Sequence, residues 1–303
     1  MPNKVILLDC SVFSFKAAFN AELAVKYRRT EGFQMPSHYT YVSSIIAALK
    51  KINVSPDDTV ILTIDSKSWR KEFSSDYKGN RKENREKHII DWDAHFSNVN
   101  RVNQQLDYAT PFHVIAVPRC EADDIISVAC RVFKDREIII ASIDSDLQQL
   151  CYYDNVKFFS LNFKTPKGKG GYLKISKEEA LKILNKKCLK GDISDNIICY
   201  PTDDENDFLL RKTLVNLLEL PQEIELSVTE VLQNLPNKQG IKWDELPFKN
   251  SLGKRFEEIY NPIHKVSPEY CYALKEKRTK LKKKKESLKR KLKKGETPNE
   301  SGL

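Results

Sequence analysis

Apolar residues along the first half of this chain fall into two alternating rhythms. Val5 to Leu8, Thr59 to Ile64, Pro111 to Val117, Glu137 to Ile143 and Val156 to Leu161 are runs of strand length. They are rich in β-branched residues and hardly alternate, as strands buried on both faces of a parallel sheet require. Between them, apolar positions recur at helical spacing from Val12 onward, from Tyr39 to Ile52 and from Trp92 to Leu106, and most clearly at Ile125, Ile126, Val128, Ala129, Val132 and Phe133. Strands separated by helices predict an α/β fold around a central, mostly parallel sheet. Tyr27 to Ser37 reads as a loop. Ser176 and Glu179 form a capping box that opens a further helix, and the stretch from there to Leu274 is predominantly helical and polar, predicting a second, smaller helical domain.

Acidic residues sit where these strands end. Asp9 closes the first run, Asp65 the second, and Asp144 and Asp146 follow the isoleucine-rich run 137–143. Glu121, Asp123 and Asp124 lie on or just before the first turn of the helix that precedes that run. In an open α/β sheet the carboxyl ends of the strands form the ligand-binding rim. Carboxylates gathered there repel one another strongly in a low dielectric, and a hard divalent cation such as magnesium removes the repulsion. The competing role is capping: Asp and Glu at a helix start, or Asp after a strand, also satisfy orphan amides. Asp192 and Asp195, in the turn KGDISDN at 190–196, are equally open to a capping role.

Between Ser66 and Lys87 the chain is dense in Lys and Arg, with Trp69, Phe73 and Tyr77 at every fourth position. Such spacing predicts an aromatic stripe on one helical face with Arg70, Lys78 and Arg81 beside it, although Gly79 and Asn80 weaken the helix. Cations beside aromatics suit nucleic acid, for phosphate and base stacking respectively; a buried stripe with a solvated charged face is the other reading. The Lys- and Gly-rich stretch 164–171 contains G-x-G-G but lacks the nucleotide-cradling frameworks in their required places, and a hairpin is expected.

Composition narrows the picture further. The formal charge is +9, yet 13 Lys and Arg against 2 Glu lie between Lys275 and Lys294, and residues 1–274 sum to zero. The basic excess is thus a tail, expected to stay disordered until it meets a polyanion. No apolar run approaches the roughly 20 residues of a membrane span. The start of the chain lacks a signal-peptide layout, and seven cysteines without a C-x-x-C pair read as reduced thiols in a cytoplasmic protein. Five histidines form no metal-binding or triad-like cluster, which agrees with a carboxylate-only site.

The motifs LLDCS at 7–11, TIDS at 63–66, WRKEFSSDYKGNR at 69–81, CEADD at 120–124, SIDSD at 142–146 and KGDISDN at 190–196 together resemble the flap-endonuclease (5′ nuclease) family, closest to its bacteriophage ribonuclease H branch. The resemblance covers roughly residues 4–200. It implies a PIN-like nuclease domain at 1–175 with a helical arch at about 67–88, a helix-three-turn-helix region within 176–274, and a basic tail at 275–303. It places one metal ion near Asp9, Asp65 and Asp123, with Glu121, Asp144, Asp146 and Asp195 in the surrounding set and Asp124 and Asp192 acting through water. Lys78 and Arg81 match the arch residues that contact the scissile phosphate; Arg70, Lys71, Tyr77 and Lys190 are assigned to nucleic-acid contact.

The implied activity is metal-assisted hydrolysis with two magnesium ions, manganese being an acceptable substitute, on DNA and RNA–DNA hybrids with 5′ ends or flaps. RNA-primer removal during replication follows from the same branch. A monomer without membrane contact is expected, in the host cytoplasm if phage-encoded, with a single-stranded-DNA-binding protein or a sliding clamp as candidate recruiting partners. Two rivals stay open: a catalytically silent nucleic-acid-binding module, and a PIN-type ribonuclease acting on single strands. One departure stands out. The family follows its S-D-N turn with a Gly-rich hairpin, whereas IICYPTDDEND here has no glycine and four acids.

Overall fold

The computed structural model describes residues 3–26, 37–166, 168–199, 204–238, 240–248, 252, 253, 255 and 256. The loop expected over Tyr27 to Ser37 lies outside them except for Ser37, which begins a helix, and the basic tail lies outside them too. The strands are β1 (Val5–Asp9), β2 (Thr59–Thr63), β3 (His113–Ile115), β4 (Ile138–Ser142), β5 (Val156–Thr165) and β6 (Gly168–Leu173). They form one sheet in the order β3-β2-β1-β4-β5-β6. Every neighbouring pair is parallel except the β5–β6 hairpin.

The central strands explain the uniform apolar runs. Every residue of β1 and of β4 is buried. Alternate side chains feed two cores, as the two-residue period of a strand dictates. Ile6, Leu8, Leu62 and Ala141 pack under α1 (Cys10–Lys26), α2 (Ser37–Ile52) and α5 (Trp92–Ala109). Val5, Leu7, Ile61 and Ile140 pack under α6 (Ala122–Val132) on the other face. Each buried Val, Leu or Ile side chain among them contributes about 1.5–3 kcal/mol by leaving water.

Of the three later helices the first and last add to this second core, and the middle one packs in a separate small cluster. They are α7 (Lys177–Lys190), α8 (Glu205–Val215) and α9 (Gln222–Gln233). Ile224, Val228 and Leu232 of α9 join the cluster formed by α6 and the sheet. Two of the helices that the sequence assigns to a second domain, α7 and α9, thus contribute to the core on this face of the sheet. Ser176 caps α7 by accepting from Glu179 N at 3.2 Å, as its capping box predicts. Of the acids replacing the Gly-rich hairpin, Asp204 caps α8, accepting from Asp207 N at 3.0 Å.

Segment 67–88 departs from the expected amphipathic stripe. It contains only the short helices α3 (Arg70–Phe73) and α4 (Arg81–Glu86). Between them Lys78 takes a left-handed φ of 56° just before Gly79, which ends any helical register. Phe73 is exposed while Trp69 and Tyr77 are buried, so the three aromatics share no face. The segment is held in its middle and just after its end. Asn196 Nδ2 donates to Asp76 O at 2.9 Å and Lys78 N to Asp195 O at 2.8 Å, while Ile89 N donates to the buried Glu22 at 3.1 Å.

Among the described residues no helix is long and apolar enough to cross a membrane. Their six cysteines are free thiols, five of them buried.

Candidate active site

Parallel register brings the strand-end acids together. Asp9 pairs with Thr63 and Leu8 with Ala141, so β1, β2 and β4 stop in step. The chain leaves β1 toward β2 on one side and meets β4 on the other, the switch point at which such sheets bind ligands. Asp9, Asp65 and Asp144 at these ends, with Asp123 from the first turn of α6, line one cavity of about 850 Å³. Segment 78–88 supplies Lys78, Arg81 and Arg85 to the same cavity, and α1 supplies Phe15, Lys16 and Phe19.

These four inner carboxylates are fixed by neutral donors. Ser142 Oγ donates to Asp9 Oδ2 at 3.0 Å, and Ser11 N to Asp9 Oδ1 at 3.2 Å. Ser11 Oγ donates to Asp65, whose other oxygen accepts from Ala122 N at 2.8 Å, so the start of α6 is aimed at it. Asp144 Oδ1 accepts from Asp146 N at 2.8 Å. No lysine or arginine pairs with any of the four among the described residues. Burial, then the charges of Asp65 and Asp144, push the Asp9 carboxyl up to about 7. Burial also holds Asp123 well above the usual carboxylate range, against the pull of Arg70.

The remaining acids are compensated from within the protein. Glu121 accepts from Lys78 Nζ at 2.5 Å, Tyr77 OH at 2.8 Å and Arg70 Nη1 at 3.1 Å; although burial opposes it, Lys78 and Arg70 keep its carboxyl below the ordinary range. Asp195 pairs with Arg81 at 2.9 Å and Lys78 at 3.6 Å. Lys187 bridges Asp146 and Asp192. Burial and Asp144 nonetheless raise Asp146 to about 6. Oxygens of Asp146, Asp192 and Asp195 lie within 4.8 Å of one another, close enough to hold an ion.

Three sequence assignments are corrected here. Arg70 is 1% exposed and cannot reach a strand: it pairs with Asp124 at 2.8 Å and donates from Nε to Leu214 O at 2.8 Å. Asp124 is fully buried, accepting from Glu121 N at 2.8 Å at the start of α6 and from Trp69 Nε1 at 3.2 Å, so it does not line the cavity. Tyr77 is buried with its hydroxyl on Glu121 and Asp195, leaving no ring face for a base. Lys71 and Lys190 are exposed. Asp192 is itself a cap, accepting from Ser194 N at 2.9 Å; Lys187 and Ser194 hold it below the ordinary range although burial opposes them.

A family model described as the 5′-3′ exonuclease N-terminal resolvase-like domain matches residues 4–182. The chain belongs to this family. Its mostly parallel sheet with flanking helices is the resolvase-like, PIN-type fold. Ribonuclease H of Enterobacteria phage T4 is 33% identical over 161 residues, which are 52% of this chain and 51% of that protein. The match thus spans about half the length of that curated relative. Among solved structures, a bacteriophage T5 flap endonuclease complexed with DNA and metal ions is 19% identical with a TM-score of 0.49, covering 86% of this chain and 90% of that one. The catalytic core of Rad2 with a DNA substrate is 14% identical with a TM-score of 0.43, covering 86% and 93%.

In this 5′-3′ exonuclease domain, residues that sequence reasoning passed over complete the site. Ser11 and Ser142 lie inside the motifs LLDCS and SIDSD, and their position beside the acids was the available signal. Arg85 stacks over Phe15, Trp92 and Phe96 at 5.3–5.9 Å from their ring centres. Lys187 carries no motif; only the fold brings it to Asp146 and Asp192.

Proposed function

We propose that this chain is a structure-specific 5′ nuclease that hydrolyses phosphodiesters with divalent ions, two magnesium ions being the expected complement. The observation that carries this reading is the inner group: four carboxylates line one cavity, none of them paired with a lysine or arginine among the described residues, and two are pushed toward protonation. Buried carboxylates that are hydrogen-bonded only by neutral donors fit a hard cation. Asp9, Asp65, Asp123 and Asp144 would hold such ions, which would supply Lewis-acid chemistry for activating water and neutralising the scissile phosphate.

The protein's own groups do the rest. Ser11, Ser142 and the first amide of α6 hold the acids in place. Lys78 and Arg81, already at the cavity wall, neutralise charge that develops on the phosphate, an effect typically worth about 10²–10³ in turnover. Membership of the 5′-3′ exonuclease family and the likeness to a phage ribonuclease H support a role on DNA and RNA–DNA hybrids with 5′ ends or flaps, including RNA-primer removal. Host cytoplasm, a monomeric state and recruitment through a single-stranded-DNA-binding protein or sliding clamp belong to the same proposal.

The test is an assay on a 5′-labelled flap, a nicked RNA–DNA hybrid and a plain single strand, each with magnesium. Cleavage of the first two over the third is expected. Binding without cleavage would establish a silent module instead, and equal cutting of all three a single-strand ribonuclease.

A further inference from the structure

The Lys- and Gly-rich stretch 164–171, which matches no nucleotide-cradling framework, forms the β5–β6 hairpin, with Thr165 paired to Gly168 and Lys164 to Lys169. Gly170 has a φ of +104°, and a Cβ there would lie 3.2 Å from the Phe159 ring and 3.4 Å from Lys51 Cδ. The missing side chain lets β6 close onto the end of α2, where the Lys51 ammonium donates to the carbonyl of Lys169. The Lys169 side chain then lines the same cavity as the inner carboxylates, and so does Lys16 from α1. The three ammonium groups are near enough that, after burial, Lys169 and Lys51 are what lower the Lys16 pKa.

No carboxylate pairs with any of the three among the described residues. Like charges held together without a counter-charge oppose folding. Lysines that merely solvate a surface spread apart; here a side-chain-free glycine and a lysine-to-carbonyl hydrogen bond hold them at one rim. We propose that Lys16, Lys51 and Lys169 form a phosphate-binding subsite for the nucleic-acid backbone, supplied by other elements than the cations of segment 78–88. The inference rests on the nuclease reading for the identity of the anion. It gives the cavity a second grip on the strand, from α1, α2 and β6.

The test is the salt dependence of binding to a fluorescent 5′-flap oligonucleotide in EDTA, with cleavage of the same oligonucleotide in magnesium measured alongside. For the triple variant K16Q/K51Q/K169Q, the slope of log affinity against log salt should fall by about 2, with affinity at 0.1 M salt weaker by about ten-fold or more. Turnover at saturating substrate should fall by less than affinity does. The arginine variant K16R/K51R/K169R should restore the slope, which separates lost charge from lost structure. An unchanged slope in the triple glutamine variant, or an equal fall from Lys182→Gln on the outer face of α7, overturns the subsite. A reduced slope in a chain whose wild type never cleaves supports the subsite and overturns the nuclease reading instead; cleavage with an unchanged slope does the reverse.

Discussion

The inner and outer carboxylates of this 5′-3′ exonuclease domain are the same chemical groups a few ångströms apart in one site, yet the protein treats them oppositely. Asp9, Asp65, Asp123 and Asp144 receive only neutral donors, whereas Glu121, Asp146, Asp192 and Asp195 each meet a lysine or arginine. The carboxyl with two cations, Glu121, is held below its ordinary range, and the buried one with none, Asp9, sits near 7. The inner set is therefore left without internal counter-charge, while the outer set is balanced by Lys78, Arg81 and Lys187. The presence or absence of internal counter-charge, more than the number of acids, separates the two sets.

Breaking the comparison from the inside has the largest expected effect. Asp144→Asn keeps size and shape but removes a charge that only an added cation was balancing, so flap cleavage should fall by at least about a thousand-fold while flap binding in EDTA changes little. The pH dependence of stability comes next. Because the folded pKa of Asp9 lies above its unfolded value, its contribution is fully present below about pH 4 and is lost as pH rises toward 7, amounting to about 4 kcal/mol; Asp146 acts in the same direction up to about pH 6. Urea unfolding in EDTA should show this decline, and saturating magnesium should flatten it.

Breaking it from the outside costs less. Lys78→Ala removes a cation shared by Glu121 and Asp195, and turnover should drop about a hundred-fold with a smaller change in affinity, read from single-turnover kinetics. Lys187→Met leaves Asp146 and Asp192 facing each other uncompensated. Being partly exposed, the bridge should be worth about 1–2 kcal/mol, seen as a lower Tm in EDTA that recovers in magnesium because an ion replaces the ammonium.

What the chain revealed before folding follows the same division. β1 and β4 are legible because strands buried on both faces must be apolar throughout, and Asp9, Asp65 and Asp144 because an acid after such a strand lands on the rim. Arg70 was misassigned because an arginine in a basic stretch looks like a phosphate contact; its burial depends on Glu121 and Asp124, some fifty residues away. Trp69, Phe73 and Tyr77 have helical spacing, but the left-handed Lys78 beside Gly79 outweighs spacing and sends Tyr77 inward. Lys187, Lys16 and Lys169 are invisible one residue at a time, since each matters only through what the tertiary fold sets beside it.

The most direct test of the inner site is calorimetric. Magnesium titrated into the ion-free chain at pH 6.5, in buffers of different ionisation enthalpy, should bind with net release of protons, because the Asp9 carboxyl near 7 and the raised Asp123 give up theirs as the ion enters. Asp9→Asn should lose most of that release and weaken the binding. Tight binding without proton release, or an isotherm unchanged by Asp9→Asn, would contradict the inner carboxylates as the place where the ion sits.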